Sequence, residues 1–118
     1  MIGINRKPRD QAIKADAGKP KLSLVPPAII VEIARVREYG VGKYGSNESW
    51  REVDRQRYID ACYRHWVKFV ADPDGVDEES GLPHLSHVAC NVAFLCEMMG
   101  EEENDCIRIK TNVSNCTR

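Results

Sequence analysis

Residues 80–100 read SGLPHLSHVACNVAFLCEMMG, and the spacing inside this stretch sets the fold class. Leu82, Leu85, Val88, Ala89, Val92, Leu95, Cys96 and Met99 recur every three or four residues, the period of a helix with one apolar face and close to a coiled-coil seam. Ser80 is a natural cap for it, and Pro83 is tolerated in a first turn. Working upstream, Asp72-Pro73-Asp74-Gly75 is a strong turn signal. Before it, Tyr58, Ile59, Cys62, His65, Trp66 and Phe69 form a second helical stripe, capped by Asp54. Further upstream, Pro26-Pro27 can open a helix whose stripe is Ile29, Ile30, Ile33 and Val36, over residues 28–39. Gly40, Gly42 and Gly45 interrupt that pattern, so residues 40–52 are expected to be a loop or a frayed end.

Three helices with no paired strand runs predict an all-α fold, a small bundle of three main helices. Residues 1–17 are polar, basic and aperiodic and read as a flexible arm. Residues 18–100 form the helical domain, opening on an extended, proline-rich lead-in. Residues 101–118 begin with an acidic run and read as a polar tail. Helices of this length enclose a thin core, so completion by oligomerisation is expected. The back face of the second helix, Asp60, Arg64, Val67 and Ala71, is the surface expected to meet a partner copy.

The chain of 118 residues is 42% hydrophobic and 30% charged, with 17 basic and 18 acidic residues and a net charge of −1. That balance excludes a polyanion binder working by bulk charge, so no long nucleic acid is expected as a partner. No apolar run approaches the ~20 residues needed to cross a bilayer. Residues 1–21 lack the apolar centre of a signal peptide, which predicts a cytoplasmic protein without a membrane partner. The five cysteines are odd in number and none are spaced Cys-x-x-Cys, so they read as small hydrophobes, not as a disulfide or zinc framework.

Candidate chemistry gathers near the start of the third helix. His84, His87 and Asn91 share one face beside the apolar stripe. Histidines at i and i+3 can ligate one divalent ion or position a phosphate. The plainer alternative makes His84 a cap for a neighbouring helix end and His87 a satisfied interface residue. Asp77, Glu78 and Glu79 precede this helix, where acids suit the macrodipole or supply oxygen ligands to a hard cation. On the second helix, Asp60 and Arg64 have the spacing of a surface ion pair. His65 lies within the apolar stripe and therefore needs a polar partner, for which His84 or His87 is the natural candidate. Lys19, Lys43 and Arg51 stand in glycine- or proline-rich segments where cations can approach phosphates. Tyr39, Tyr44 and Trp50 offer faces for a base, although Trp50 also fits as a core plug. There is no Walker motif, dinucleotide fingerprint or nucleophile elbow. No His-Asp dipeptide occurs, which argues against an HD-type phosphohydrolase site.

Several of these segments occur in a recognisable order. They are Asp16-Ala17-Gly18-Lys19-Pro20, Leu22-Ser23-Leu24-Val25-Pro26-Pro27, Tyr39-Gly40, Lys43-Tyr44-Gly45, Trp50-Arg51, Asp60-Ala61, Arg64-His65, and the run from Asp77 to Leu85 with His87 and Asn91. In this set the chain resembles the phage dATP/dGTP diphosphohydrolase N-terminal domain family, grouped with MazG-like nucleotide pyrophosphohydrolases. The resemblance spans residues 16–99. It implies a MazG-like helical fold and metal-dependent attack on the α-phosphate of a purine deoxynucleoside triphosphate, giving the monophosphate and pyrophosphate.

On that implication Asp60, His65, His84 and His87 hold the metal. Asp77, Glu78, Glu79 and His84 form the catalytic set, the acids adding a ligand or a general base. Lys19, Lys43, Arg51, Arg64 and Asn91 bind phosphates or substrate, and Tyr44 or Trp50 the base. MazG enzymes hold metals on two acidic pairs, whereas this sequence offers His84-x-x-His87 at the second. Mg²⁺ or Mn²⁺ is the expected cofactor, with Co²⁺ or Zn²⁺ suited to imidazole. The alternative expectation is a non-catalytic phage accessory module that binds a nucleotide or a host protein.

Overall fold

A computed structural model describes Ala15 and residues 17–110, the side chains of residues 103–110 excepted. The expected flexible arm therefore lies almost wholly outside the described residues, as do residues 111–118. After a 3-10 turn at Leu22–Leu24 come three helices, which we label α1 (Ala28–Tyr44), α2 (Arg55–Ala71) and α3 (His84–Lys110). Among the described residues there is no strand, only a single antiparallel bridge between Val76 and Pro83. The fold is a small all-α bundle. No described helix is long and apolar enough to cross a membrane.

Helix α1 starts where Pro27 cannot donate, and the Ile30 amide closes the first turn onto the Pro27 carbonyl at 3.0 Å. It runs through Gly40 and Gly42, where a break was expected, and stops at Gly45. Each internal glycine costs about 1 kcal/mol against alanine. That cost is offset by tertiary contact, since Val36, Arg37, Tyr39 and Val41 around the glycines are partly buried. Gly45 ends the helix because its φ of 71° places it in the left-handed region, with its amide on the Val41 carbonyl at 2.7 Å. The connecting loop is thus shorter than predicted, and it holds a 3-10 turn at Ser49–Glu52.

Asp54 caps α2 as its sequence suggests, its Oδ1 accepting from the Gln56 amide at 3.1 Å. Helix α3 begins one residue after Pro83, and Ser80 sits outside it in a tight turn, not at its cap. At the other end, α3 continues past Gly100 to Lys110, where a tail was expected. Glutamate is a good helix former, and the acidic run is also tied down. Glu101 pairs with Arg51, and Glu102 with Arg55 at 2.8 Å.

Helix α3 packs against both α1 and α2. The face it turns inward takes in only part of the apolar stripe: Val88, Ala89 and Leu95 are half-buried, and Val88 and Leu95 line a shared hollow with Ile59, Cys62 and Trp66 of α2. His84, Ser86, Cys90 and Asn91 are its buried residues, while Leu85, Val92 and Met99 are 45%, 43% and 47% exposed. Cys96 is exposed as well, contrary to its reading as a buried hydrophobe. The small side chains of the inner face allow close helix approach. Its polar groups are anchored across the bundle: Ser86 Oγ donates to Glu32 Oε1 of α1 at 2.7 Å. One to two turns on, Phe94 stacks on Trp50 with centroids 4.5 Å apart and meets Tyr58 at 4.8 Å. The Tyr58 hydroxyl donates to the Trp50 carbonyl at 2.6 Å, which ties the loop before α2 to the helices.

Candidate functional site

Three imidazoles meet where α2 faces the start of α3. His65 projects from the middle of α2. His84 and His87 lie one turn apart on α3. The Nδ1 atoms of His65 and His84 are 2.9 Å apart, and the His65 ring stacks on His87 at 4.5 Å between centroids. A nitrogen pair at 2.9 Å is a hydrogen bond only if one of the two carries a proton and the other a lone pair.

The turn from Asp77 to Leu82 brings a carboxylate to the same place. Asp77 Oδ2 accepts from the amides of Glu79 at 3.1 Å and Ser80 at 2.9 Å. The Gly81 amide returns to the Asp77 carbonyl, and the Asp77 amide bonds the Leu82 carbonyl, both at 2.8 Å. Gly81 makes this closure possible with φ of 73°. One ligand atom from each of His65, Asp77 and His84 lies within 4.8 Å of the others, the one grouping of this kind among the described residues.

Protonation states suit this geometry. Burial first, and then the charge of neighbouring His87, depress the His65 pKa to about 4, so the ring is neutral at pH 7. Burial likewise lowers His87. For Asp77, burial acts to raise the carboxyl, but the Ser80 amide bond and the nearby His87 outweigh it and hold the group below its ordinary range. A neutral imidazole and an ionised carboxylate are the forms that bind a cation.

The other sequence-predicted residues fall in different places. His87 turns its Nε2 to Ser80 Oγ at 2.7 Å, so it borders the donor group without joining it. Asp60 is exposed and accepts from Gln56 at 3.0 Å, outside the donor group. It makes no ion pair with Arg64, which is also exposed. Glu78 is exposed, and Glu79 is held by Lys43. Buried Asn91 donates to the His87 carbonyl at 2.9 Å and braces the helix. Arg51 lies over the Trp50 ring at 4.5 Å and binds Glu48 and Glu101, so the stacking surface of Trp50 is engaged by Arg51 and Phe94. Lys19 and Tyr44 are exposed. Ser80 as the partner of His87 was not anticipated. The signal was present in the Asp-x-x-Ser-Gly run, which reads as a side-chain-stabilised turn.

No solved structure matches the chain. A protein of Salmonella phage PMBT28 named dATP/dGTP diphosphohydrolase is 39% identical over 83 residues, which are 70% of this chain and 28% of the relative. The chain thus spans under a third of the length of the relative it matches. Residues 9–106, which carry α1, α2, most of α3 and the histidine cluster, match the family described as dATP/dGTP diphosphohydrolase, N-terminal, and the chain belongs to that family.

Proposed function

We propose that this chain holds a divalent cation between His65, Asp77 and His84 and presents it to the phosphates of a purine deoxynucleoside triphosphate, in a protein that hydrolyses dATP or dGTP to the monophosphate and pyrophosphate in the host cytoplasm. The observation that carries the reading is the convergence of three donor atoms within 4.8 Å, one from each of α2, the turn and α3. The name of the phage relative supports the reaction class. The donor set fits a metal: two imidazole nitrogens and a carboxylate suit Mn²⁺, Co²⁺ or Zn²⁺ better than Mg²⁺. When bound, the cation would neutralise phosphate charge and acidify a water. The chain's own part is to keep His65 neutral by burial, Asp77 ionised by amide hydrogen bonds, and His84 fixed beneath the turn.

Pyrophosphate release from each dNTP with Mn²⁺ or Mg²⁺ tests the reading, with His84→Ala and Asp77→Asn as controls. Metal-dependent release lost in both variants supports it; wild-type release no greater than the variants' overturns it. A donor set of two imidazoles and one carboxylate, in place of paired acids, favours a second reading, a nucleotide-binding module without cleavage of its own. Its signature is thermal stabilisation by dGTP that survives EDTA, with no product.

The apolar face that α3 leaves outside, with Trp66, Val67 and Val70 of α2 at 47%, 63% and 62% exposure, supports a homo-oligomer. Light scattering showing a monomer at micromolar concentration would remove that part of the proposal.

A further inference from the structure

Lys43, in the last turn of α1, reaches across 36 residues of sequence to Glu79 and ion-pairs with it. Glu79 belongs to the same turn as Asp77, so the contact connects a cation of α1 to the edge of the donor group. Tyr39, one turn back on α1, stands near enough to the same carboxylate to influence its ionisation. Lys43 first, and Tyr39 second, hold the Glu79 carboxyl below its ordinary range. An ammonium and a phenol beside one carboxylate are also the donors that recognise a phosphate oxygen.

We propose that Lys43 and Tyr39 form an anion subsite for the outer phosphates of a polyphosphate, and that the Glu79 carboxylate occupies this subsite as an internal stand-in until phosphate displaces it. The inference rests on the reading of the neighbouring donor group as phosphate-handling. Three features support the exchange. The Lys43 and Glu79 side chains are 40% and 59% exposed, so their pair is weak and easily broken. The turn is held by the backbone amide of Glu79 on Asp77, so the carboxylate can swing away while the turn stays closed. A phosphate arriving with Glu79 still in place would meet a like charge, so displacement and binding are coupled.

The test is calorimetric titration of the full chain with inorganic pyrophosphate in EDTA, which isolates this subsite from any metal. Glu79→Gln removes the stand-in but keeps the turn. Glu78→Gln removes the same charge one residue away. Lys43→Met removes the cation. Glu79→Gln is expected to bind pyrophosphate about fivefold tighter than wild type, the scale of an exposed ion pair. Glu78→Gln is expected to change binding by less than about twofold, and Lys43→Met to weaken it. The proposal is overturned if Glu79→Gln binds no tighter than wild type, if Glu78→Gln gains as much, or if no variant binds pyrophosphate. A parallel Mn²⁺ titration followed by electron paramagnetic resonance separates the two ideas. Mn²⁺ binding without the Glu79→Gln gain removes the subsite and leaves the metal reading; the gain without Mn²⁺ binding does the reverse.

Discussion

The Nδ1 atoms of His65 and His84 face one another across 2.9 Å, from different helices and 19 residues apart in sequence. His84 is 7% exposed, so its polar atoms depend on that partner. His84→Ala leaves His65 without it. A loss of about 1–3 kcal/mol in stability is expected, the cost of an unpaired, part-buried polar group. Denaturant unfolding of the two proteins in EDTA measures it. In the same variant, Mn²⁺ should no longer raise the melting temperature.

The depressed pKa of His65 makes stability depend on pH in a definite direction. The unfolded imidazole takes up a proton near pH 6.5, the folded one only near pH 4. Between those values the unfolded state binds more protons, so stability present above pH 6.5 is lost progressively as pH falls towards 4. Lowered His87 adds to the same trend. Melting temperatures of the metal-stripped protein across this window should fall with acid, and His65→Gln should flatten the slope.

Gly81 closes the turn that positions Asp77 and Ser80. An added Cβ would find open space, so Gly81→Ala is penalised by its φ of 73° alone. About 1 kcal/mol of lost stability is expected from forcing an L-residue into the left-handed region. Metal affinity should fall alongside it, since Asp77 accepts two amides of this turn. Isothermal titration with Mn²⁺ checks the second effect independently of the first.

Trp50 is a structural ring. It stacks on Phe94 and receives Arg51 over its face, while its carbonyl accepts from Tyr58. Trp50→Ala should cost about 2–3 kcal/mol through lost aromatic packing. Trp50→Phe should retain most of the stability and leave nucleotide affinity within about twofold of wild type, since a stacked aromatic pair survives. A large loss of dGTP affinity in Trp50→Phe, measured by calorimetry, would restore the base-stacking role that the sequence suggested.

The cysteines should separate by exposure. Cys90 is 2% exposed and burial pushes its thiol up to about 11, whereas Cys96 is exposed. Brief iodoacetamide treatment of the native protein at pH 8 should label Cys96 and spare Cys90, as peptide mapping would show.

Helical periodicity, the Asp54 cap and the Asp72–Gly75 turn are local properties, and the sequence alone was enough for three helices and an all-α class. It was enough, too, to mark His65 as a residue in need of a polar partner, because its imidazole lies within an apolar stripe, and to name His84 and Asp77 as candidate ligands. Which face of α3 turns inward was decided by tertiary structure. Helix α3 packs between two neighbours, and its closest contacts take small and hydrogen-bonded residues such as Ser86, Cys90 and Asn91, so that Val88 and Leu95 of the apolar stripe are half-buried and Leu85, Val92 and Met99 are left exposed. The same packing carried α1 through Gly40 and Gly42 and drew Glu101 and Glu102 into helix. Membership of the donor group was also settled in three dimensions: Asp60 and His65 are close in sequence, but the helical rotation between them sends one to solvent and the other to His84. Local spacing determines what a segment becomes, while only the meeting of distant segments determines which of its side chains face one another.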